Sequence, residues 1–562
     1  MVSDVLSKSR ARAWVEAHAS CCVLMAGAAI GLCCFAYYYS SGLTLAHYDA
    51  KAHLLVARRI VDSAEPGYQQ MGAHWLPLIH LLYLPFVVFE AQYRSGLFPS
   101  LISVCAFALS GWLVHRISLH LTGSRLAALY AAAVLLANPN LQFLQTAPLT
   151  EPVYMILMLL ALDSLLRWRD RGAGGIPWFP AAWASLAALC RYEGWFFLGG
   201  AIALLLYDAV TGRTRSVQAF KAVATYLGCF LAPALVHFGY IYWKLGDSFL
   251  HRVVRGTPAP YETYGHAVRS VVYHFGEIIQ AAAILPAAVA VAGILYCACN
   301  RERLRRCLPY FLLWLPSAVN IAALYWGLIY RVRYSVLLLP AIAVFGSIVA
   351  GREVLSRRLV ITGSALVFML PWISWLFPRT WEYHLLYPGP GVLLLPAAAL
   401  VLMLLSTAVQ RHRMTLLALI VVAMQVPVLD GEWHAAAKEA LEHSHLDSEQ
   451  KQLLGFLGNH FDGTRVLIDV GRLAPLMYDS GLPIRAFIYH EGNGKEWGKA
   501  VADPRRVAGW ILSEQGDEIW ALLQVDPDWA DGYSLAVRTK SYVLLRLNRE
   551  ERNMLPASGK PE

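Results

Sequence analysis

Charge is scarce in this chain, and cysteine is missing from its last 255 residues. Only 15% of the 562 residues are Asp, Glu, Lys or Arg, against about 25% in ordinary soluble proteins. That excludes a single soluble globular enzyme. All ten cysteines lie between Cys21 and Cys307, in apolar runs or at their ends, so no disulfide framework holds the C-terminal part. The lone Cys297-x-Cys299 reads as packing rather than metal binding. There is no P-loop, glycine-rich dinucleotide fingerprint, zinc-ligand spacing, Ser-hydrolase elbow or internal repeat. Also missing are Gly/Pro-broken helices at matching positions in two halves, which mark many transporters.

Apolar sequence fills the space instead: 57% of residues are hydrophobic and the mean hydropathy is +0.46. The net charge of +9 is unevenly spread. Residues 431–562 hold 20 acidic and 15 basic residues, whereas residues 1–430 hold 18 and 32. Basic residues concentrated in the apolar part belong to loops beside a membrane, so membrane lipids are implied as partners and nucleic acid is not. The pattern predicts a polytopic all-α membrane domain over 1–430 and a small soluble α/β domain over 431–562.

Runs long enough to cross a bilayer fall near 20–40, 96–119, 124–140, 151–168, 177–190, 195–210, 219–243, 277–299, 308–329, 334–351, 358–377, 391–410 and 413–429. That makes thirteen spans. The first follows Lys8, Arg10 and Arg12 and is too long for a secretory signal. Trp75–Phe89 is brief and carries Pro77 and Pro85, so it reads as an interfacial segment. With the N-terminus in the cytoplasm, this arrangement puts 20 of the 32 basic residues on the inner side, as the positive-inside rule requires. The outer side then receives a first loop at about 41–95, a second at about 244–276, and the tail. In the tail, Asp447–Phe461 reads as an amphipathic helix and Pro504–Glu514 as a helical stretch. Short apolar runs at Arg465–Val470, Ile484–Tyr489, Ile519–Gln524 and Tyr542–Leu547 complete it.

Ionisable groups at a membrane face are candidates for function, because burying them unpaired is costly. Asp49 lies just beyond the first span, one helical turn before His53, so the two can face one site; an ordinary helix-capping Asp is the alternative. Glu151 follows Thr150 and precedes Pro152, which also suits plain helix capping by Thr150. Arg191 and Glu193 occupy a charged reversal and can simply neutralise each other. Arg331 and Arg333, followed by Tyr334, can grip a phosphate bidentately or anchor to lipid headgroups. The second loop adds Arg252, Arg255 and Arg269 with Tyr261 and Tyr264, which also fits a solvated loop.

The order of these features resembles the GT-C superfamily of polyprenyl-phosphate-sugar-dependent glycosyltransferases, in its protein O-mannosyltransferase and lipid A aminoarabinose transferase branch. Asp49 and then His74-Trp75-Leu76-Pro77-Leu78 resemble that family's first outer loop. Gly123-Ser124-Arg125 resembles its turn before span three. Asn138-Pro139 through Thr150-Glu151-Pro152 resembles its second outer loop, and Arg333-Tyr334 with Pro340 resembles its "RY…P" helix start. Where many relatives carry an acidic pair after span one, this chain has Asp49-Ala50-Lys51.

The resemblance implies sugar transfer from a polyprenyl-phosphate-linked donor to a glycan, lipid or protein acceptor, outside a bacterial-type inner membrane. A phosphate leaving group needs charge stabilisation rather than a proton, so one carboxylate base suffices where glycosidases need two. Asp49 is the expected base and Glu151 the candidate second carboxylate. Arg333, Arg331 and Tyr334 are the expected donor-phosphate residues, with His53, His74, Arg191 and Glu193 as pocket candidates. No cofactor is required; a divalent metal is compatible but nothing indicates one. The competing classes are a lipid-linked-glycan flippase, for which Asp163 is the main mid-span acid, and a non-catalytic envelope-polysaccharide assembly factor.

Overall fold

The structure is a computed structural model that describes residues 2–246, 263–282, 284–328, 330–331, 333–351, 435–442, 446–552 and 555, with the backbone alone for 2–17, 279–280, 284–285, 435 and 442. The expected spans 358–377, 391–410 and 413–429, the boundary near 430, and Arg252, Arg255 and Tyr261 lie outside these residues. The chain divides into two compact units. One comprises Met1–Gly42, Ser100–Pro233 and Gly256–Glu439; the other comprises Leu43–Pro99, Ala234–Arg255 and Ala440–Glu562.

The first unit is helical. Across the whole chain, five described helices are long and apolar enough to cross a membrane: His18–Ser40, Leu97–Thr122, Glu193–Val210, Ser216–Leu245 and Arg333–Ala350. The pair Arg301–Trp314 and Pro316–Trp326, bent by 47°, makes a sixth if taken as one span. Several expected spans are interrupted where the sequence places proline, which has no N–H to continue the helical ladder. Helix Arg125–Leu136 stops before Asn138, whose side chain caps a separate short helix, Pro139–Leu144. The stretch expected at 277–299 is two helices, Ala267–Ala282 and Ile284–Ala298. Helix Leu339–Ala350 is buried on every side and packs between Arg125–Leu136 and Ile284–Ala298. Its contact with the latter is close enough that a Cβ on Gly293 would strike the Phe345 carbonyl, the small-residue approach typical of packed membrane helices.

The second unit combines the first long loop with the C-terminal residues. Here Trp75–Phe89 becomes helix Pro77–Val87, 11 residues long. At 1.5 Å per residue that is about 16 Å, half of a hydrocarbon core about 30 Å thick, so the segment is too short to span. Helix Ser448–His460 forms where expected, because Asp447 and Gln450 satisfy each other's backbone N–H groups in a capping box.

A five-stranded sheet follows, with strands β1 Val466–Ile468, β2 Phe487–Ile488, β3 Trp510–Glu514, β4 Tyr533–Arg538 and β5 Tyr542–Leu547. Its order is β2-β1-β3-β5-β4. The first three strands are parallel, with Val466 opposite both Phe487 and Trp510; β5 and β4 continue antiparallel. Parallel strands are covered on both faces, and β1 is buried throughout. Its core gathers Leu467, Ile488, Ile511 and Ile519 with Trp497.

One expectation for the tail is corrected. Pro504–Glu514 is not helical: Pro504–Arg506 makes a single 3₁₀ turn and the apolar residues from Trp510 enter the sheet as β3. The apolar run Ile519–Gln524 belongs to a helix, Glu518–Val525, because Asp517 caps it by accepting from the Trp520 N–H at 2.6 Å.

The loop residues and the C-terminal residues are knitted together within this unit. Lys51 Nζ lies 2.6 Å from Asp479 Oδ2. Arg94 donates to the carbonyls of Tyr478 (2.6 Å) and Leu482 (3.1 Å), and the Tyr478 hydroxyl donates back to the Tyr93 carbonyl at 2.7 Å. Arg59, 1% exposed, reaches Glu491 at 3.2 Å and lies over the Tyr489 ring. Gln70 Nε2 donates to Asn493 Oδ1 at 2.6 Å.

Candidate functional site

In the helical unit, one cluster assembles five of the residues singled out from the sequence. Helix Trp178–Cys190 ends at Arg191, whose extended backbone (φ −146°, ψ 151°) turns the chain into helix Glu193–Val210. Gly194 allows the turn to close, since a Cβ there would lie 2.5 Å from backbone atoms of Ala187 and Ala188. The turn aims Arg191 at the start of helix Thr150–Asp170. Its Nη1 donates to Thr150 Oγ1 at 2.6 Å and to Glu151 Oε1 at 2.8 Å. Its Nε and Nη2 engage both oxygens of Glu193 at 3.2 and 2.7 Å. Arg333, at the head of the short helix Arg333–Val336, places Nε 2.7 Å from the same Glu151 oxygen. Tyr334 underlies both guanidinium groups, its ring centroid 4.8 Å from Arg191 and 5.3 Å from Arg333.

Glu151 is wholly buried, Arg333 2% exposed and Glu193 4%. Charges at such depth persist only when matched, because the desolvation cost of each is several kcal/mol. Two arginines and two glutamates match. The capping role expected of Thr150 is corrected: Leu149 is the N-cap, without a side-chain cap bond, and the Thr150 hydroxyl serves Arg191 instead.

Arg331 does not join this cluster through Glu151. Its Nε lies 3.6 Å from Glu439 Oε1. Glu439 and Glu277, which is 2% exposed, were not singled out from the sequence. Glu277 carried a usable signal, an isolated acid in the apolar stretch Val271–Ala283, hidden because the span was expected to begin there. Asp163 is not an unmatched mid-span acid: its oxygens lie 2.7 Å from Arg167 and 3.5 Å from Arg116.

In the second unit, His47 caps helix Tyr48–Arg59 by accepting from the Asp49 N–H at 3.0 Å, which sets half-buried Asp49 in the first turn. His53 follows one turn later but is buried, its Nδ1 3.1 Å from His80 Nε2. His80 Nδ1 in turn lies 3.1 Å from the Leu76 carbonyl. A carbonyl only accepts, so His80 carries its proton on Nδ1 and accepts at Nε2 from His53. Burial, followed by the nearby His53, holds His80 well below the usual imidazole value, so it stays neutral. Trp75 packs edge-on against His53 at 4.8 Å. His74 is exposed. Among the described residues, no group of three or more His, Cys, Asp or Glu is placed to hold a metal ion.

A unit helical throughout its described residues, joined in one chain to a small mixed sheet, is an architecture with solved counterparts. Two structures of ArnT from Cupriavidus metallidurans, one bound to undecaprenyl phosphate and one in the apo state, match with a TM-score of 0.53 and 14% identity, over 93% of this chain and 98% of theirs. The archaeal oligosaccharyltransferase AglB from Archaeoglobus fulgidus, in complex with an inhibitory peptide and a dolichol-phosphate, gives a TM-score of 0.48 at 11% identity, over 89% of this chain and 70% of its own. No protein-family model and no curated protein sequence matches the chain. The likeness to ArnT shows the fold: a mostly helical membrane architecture with a small C-terminal sheet unit.

Proposed function

We propose that this protein is a membrane glycosyltransferase that moves a sugar from a polyprenyl-phosphate-linked donor to an acceptor hydroxyl on a glycan, lipid or protein. The observation that carries this reading is the buried arginine cluster on Glu151, in a fold shared with ArnT, whose structure holds undecaprenyl phosphate. In the reaction, the acceptor oxygen attacks the anomeric carbon and the bond from that carbon to the phosphate oxygen breaks. The electron pair leaves with the phosphate, and the hydroxyl proton passes to Asp49. A single displacement inverts the anomeric centre. Arg333, with Arg331 and Tyr334, stabilises the charge that grows on the phosphate. Glu151 is the candidate second carboxylate, and no step calls for a metal. The protein is assigned to a bacterial-type inner membrane, with a cytoplasmic N-terminus and its C-terminal unit outside.

The test is transfer from a panel of radiolabelled polyprenyl-phosphate sugars by the wild type and by Asp49→Asn. Removing a general base typically costs about 10²–10⁴-fold, so the variant is expected to fall by that factor. Undiminished transfer would overturn the assignment of Asp49. A wild type that transfers from no donor would overturn the enzymatic reading.

A further inference from the structure

We infer that Glu151 is a positioning residue rather than a second base: it holds Arg191 and Arg333 as the guanidinium pair that takes the donor's phosphate. This rests on the lipid-phosphate reading and changes its residues, putting Arg191 where the sequence suggests Arg331.

Three features of the geometry support it. Adjacent numbering pairs Arg331 with Arg333, yet Arg331 lies against Glu439. The partner that shares a counter-ion with Arg333 is Arg191, from a distant part of the sequence. Both approach one oxygen, Glu151 Oε1, at 2.8 and 2.7 Å, and both rest on the ring of Tyr334. An oxygen engaged by two guanidinium groups is already committed, and makes a poor acceptor for a hydroxyl proton.

The second feature is unequal anchoring. Arg191 is clamped by both oxygens of Glu193 and by Thr150 in addition to Glu151, so it enters binding with its side-chain freedom already spent. Guanidinium forks suit phosphate because they present parallel N–H donors, and a pair fixed beforehand spares the ligand the cost of ordering them. The third is charge. Two arginines matched by two glutamates let the cluster exist buried without ligand. Transfer turns the donor's phosphodiester into a monoester and so adds negative charge, which the pair is placed to meet.

The experiment uses the full chain in lipid nanodiscs and measures binding of undecaprenyl phosphate and of undecaprenol, the same lipid without phosphate, by native mass spectrometry. The wild type is expected to prefer undecaprenyl phosphate. Glu151→Gln should weaken that lipid about tenfold, equivalent to ~1.4 kcal/mol, with undecaprenol unchanged. Glu151→Asp should recover part of the loss, and Arg191→Lys should cost more than Arg331→Lys. If Glu151→Gln binds undecaprenyl phosphate as the wild type does, or loses both lipids equally, the positioning role is overturned while the donor class stands. If the wild type shows no preference for the phosphate, both are overturned.

Discussion

Arg169 and Asp208 meet through two parallel hydrogen bonds, Nε to Oδ2 and Nη2 to Oδ1, each 2.7 Å, with side chains 5% and 1% exposed. They join the end of helix Thr150–Asp170 to the end of helix Glu193–Val210, and so set the distance between the helices that carry Glu151 and Glu193. Breaking a buried pair by removing one partner leaves an uncompensated charge and costs about 3–5 kcal/mol. Asp208→Asn is therefore expected to lower the thermal midpoint of the detergent-solubilised protein, read by intrinsic fluorescence. Restoration of the midpoint by a second change, Arg169→Met, would identify the stranded charge as the cause.

Gly194→Ala is expected to act on the arginine cluster from outside it. The added methyl would meet backbone rather than a flexible side chain, so the two helices must part, at a cost of about 1–3 kcal/mol as in other overpacked sites. Arg191 and Glu193 ride on that turn. The donor KM should rise more than kcat falls, and steady-state kinetics with varied donor would show it.

Arg59→Lys is expected to loosen the second unit locally. A lysine keeps the charge but loses both the flat contact with Tyr489 and the paired approach of Nη1 and Nη2 to Glu491. Amide exchange at Tyr489–Asn493 should quicken, whereas β3 should keep wild-type protection. Unchanged exchange at Tyr489–Asn493 would show that the guanidinium shape does not matter there.

Acid should weaken the sheet through Asp462. Partial burial raises its carboxyl, but hydrogen bonds from Thr464, Trp510 and Arg546 outweigh this and hold it below its ordinary value of 3.8. A carboxylate lowered on folding contributes stability above its unfolded value, and that contribution is lost as pH falls through the folded one. Exchange protection of β1 and β3 in the full chain should therefore decline from about pH 4 downward, and Asp462→Asn should flatten that decline.

These outcomes bear on how much the sequence discloses. Asp447-x-x-Gln450 announces its helix because capping is local. Pro504–Glu514 misleads because its apolar end answers to neighbouring strands rather than to its own period. Strand β4 leaves little trace, since it sits at the sheet edge with only Val537 buried. At the site, Arg191, Glu193, Glu151 and Arg333 stand out as charges in apolar surroundings, and the structure gathers them. The Arg191–Glu193 match was legible from its spacing, but the distant pairings were not: nothing in the numbering says that Arg333 faces Glu151 and Arg331 faces Glu439. Those matches depend on how helices are laid side by side, which no local pattern encodes.

The bonds between the first loop and the C-terminal residues have a consequence for biogenesis. Lys51 and Asp479, or Gln70 and Asn493, are separated by 428 and 423 positions. A ribosome working at about 5–20 residues per second needs roughly 20–90 s to make the second partner after the first. For that interval Arg59, Gln70 and Tyr93 sit in a loop whose C-terminal partners do not yet exist. The first loop therefore stays incomplete until those distant residues are made, and a chain cut short before Asp479 leaves this early segment without the partners that hold it.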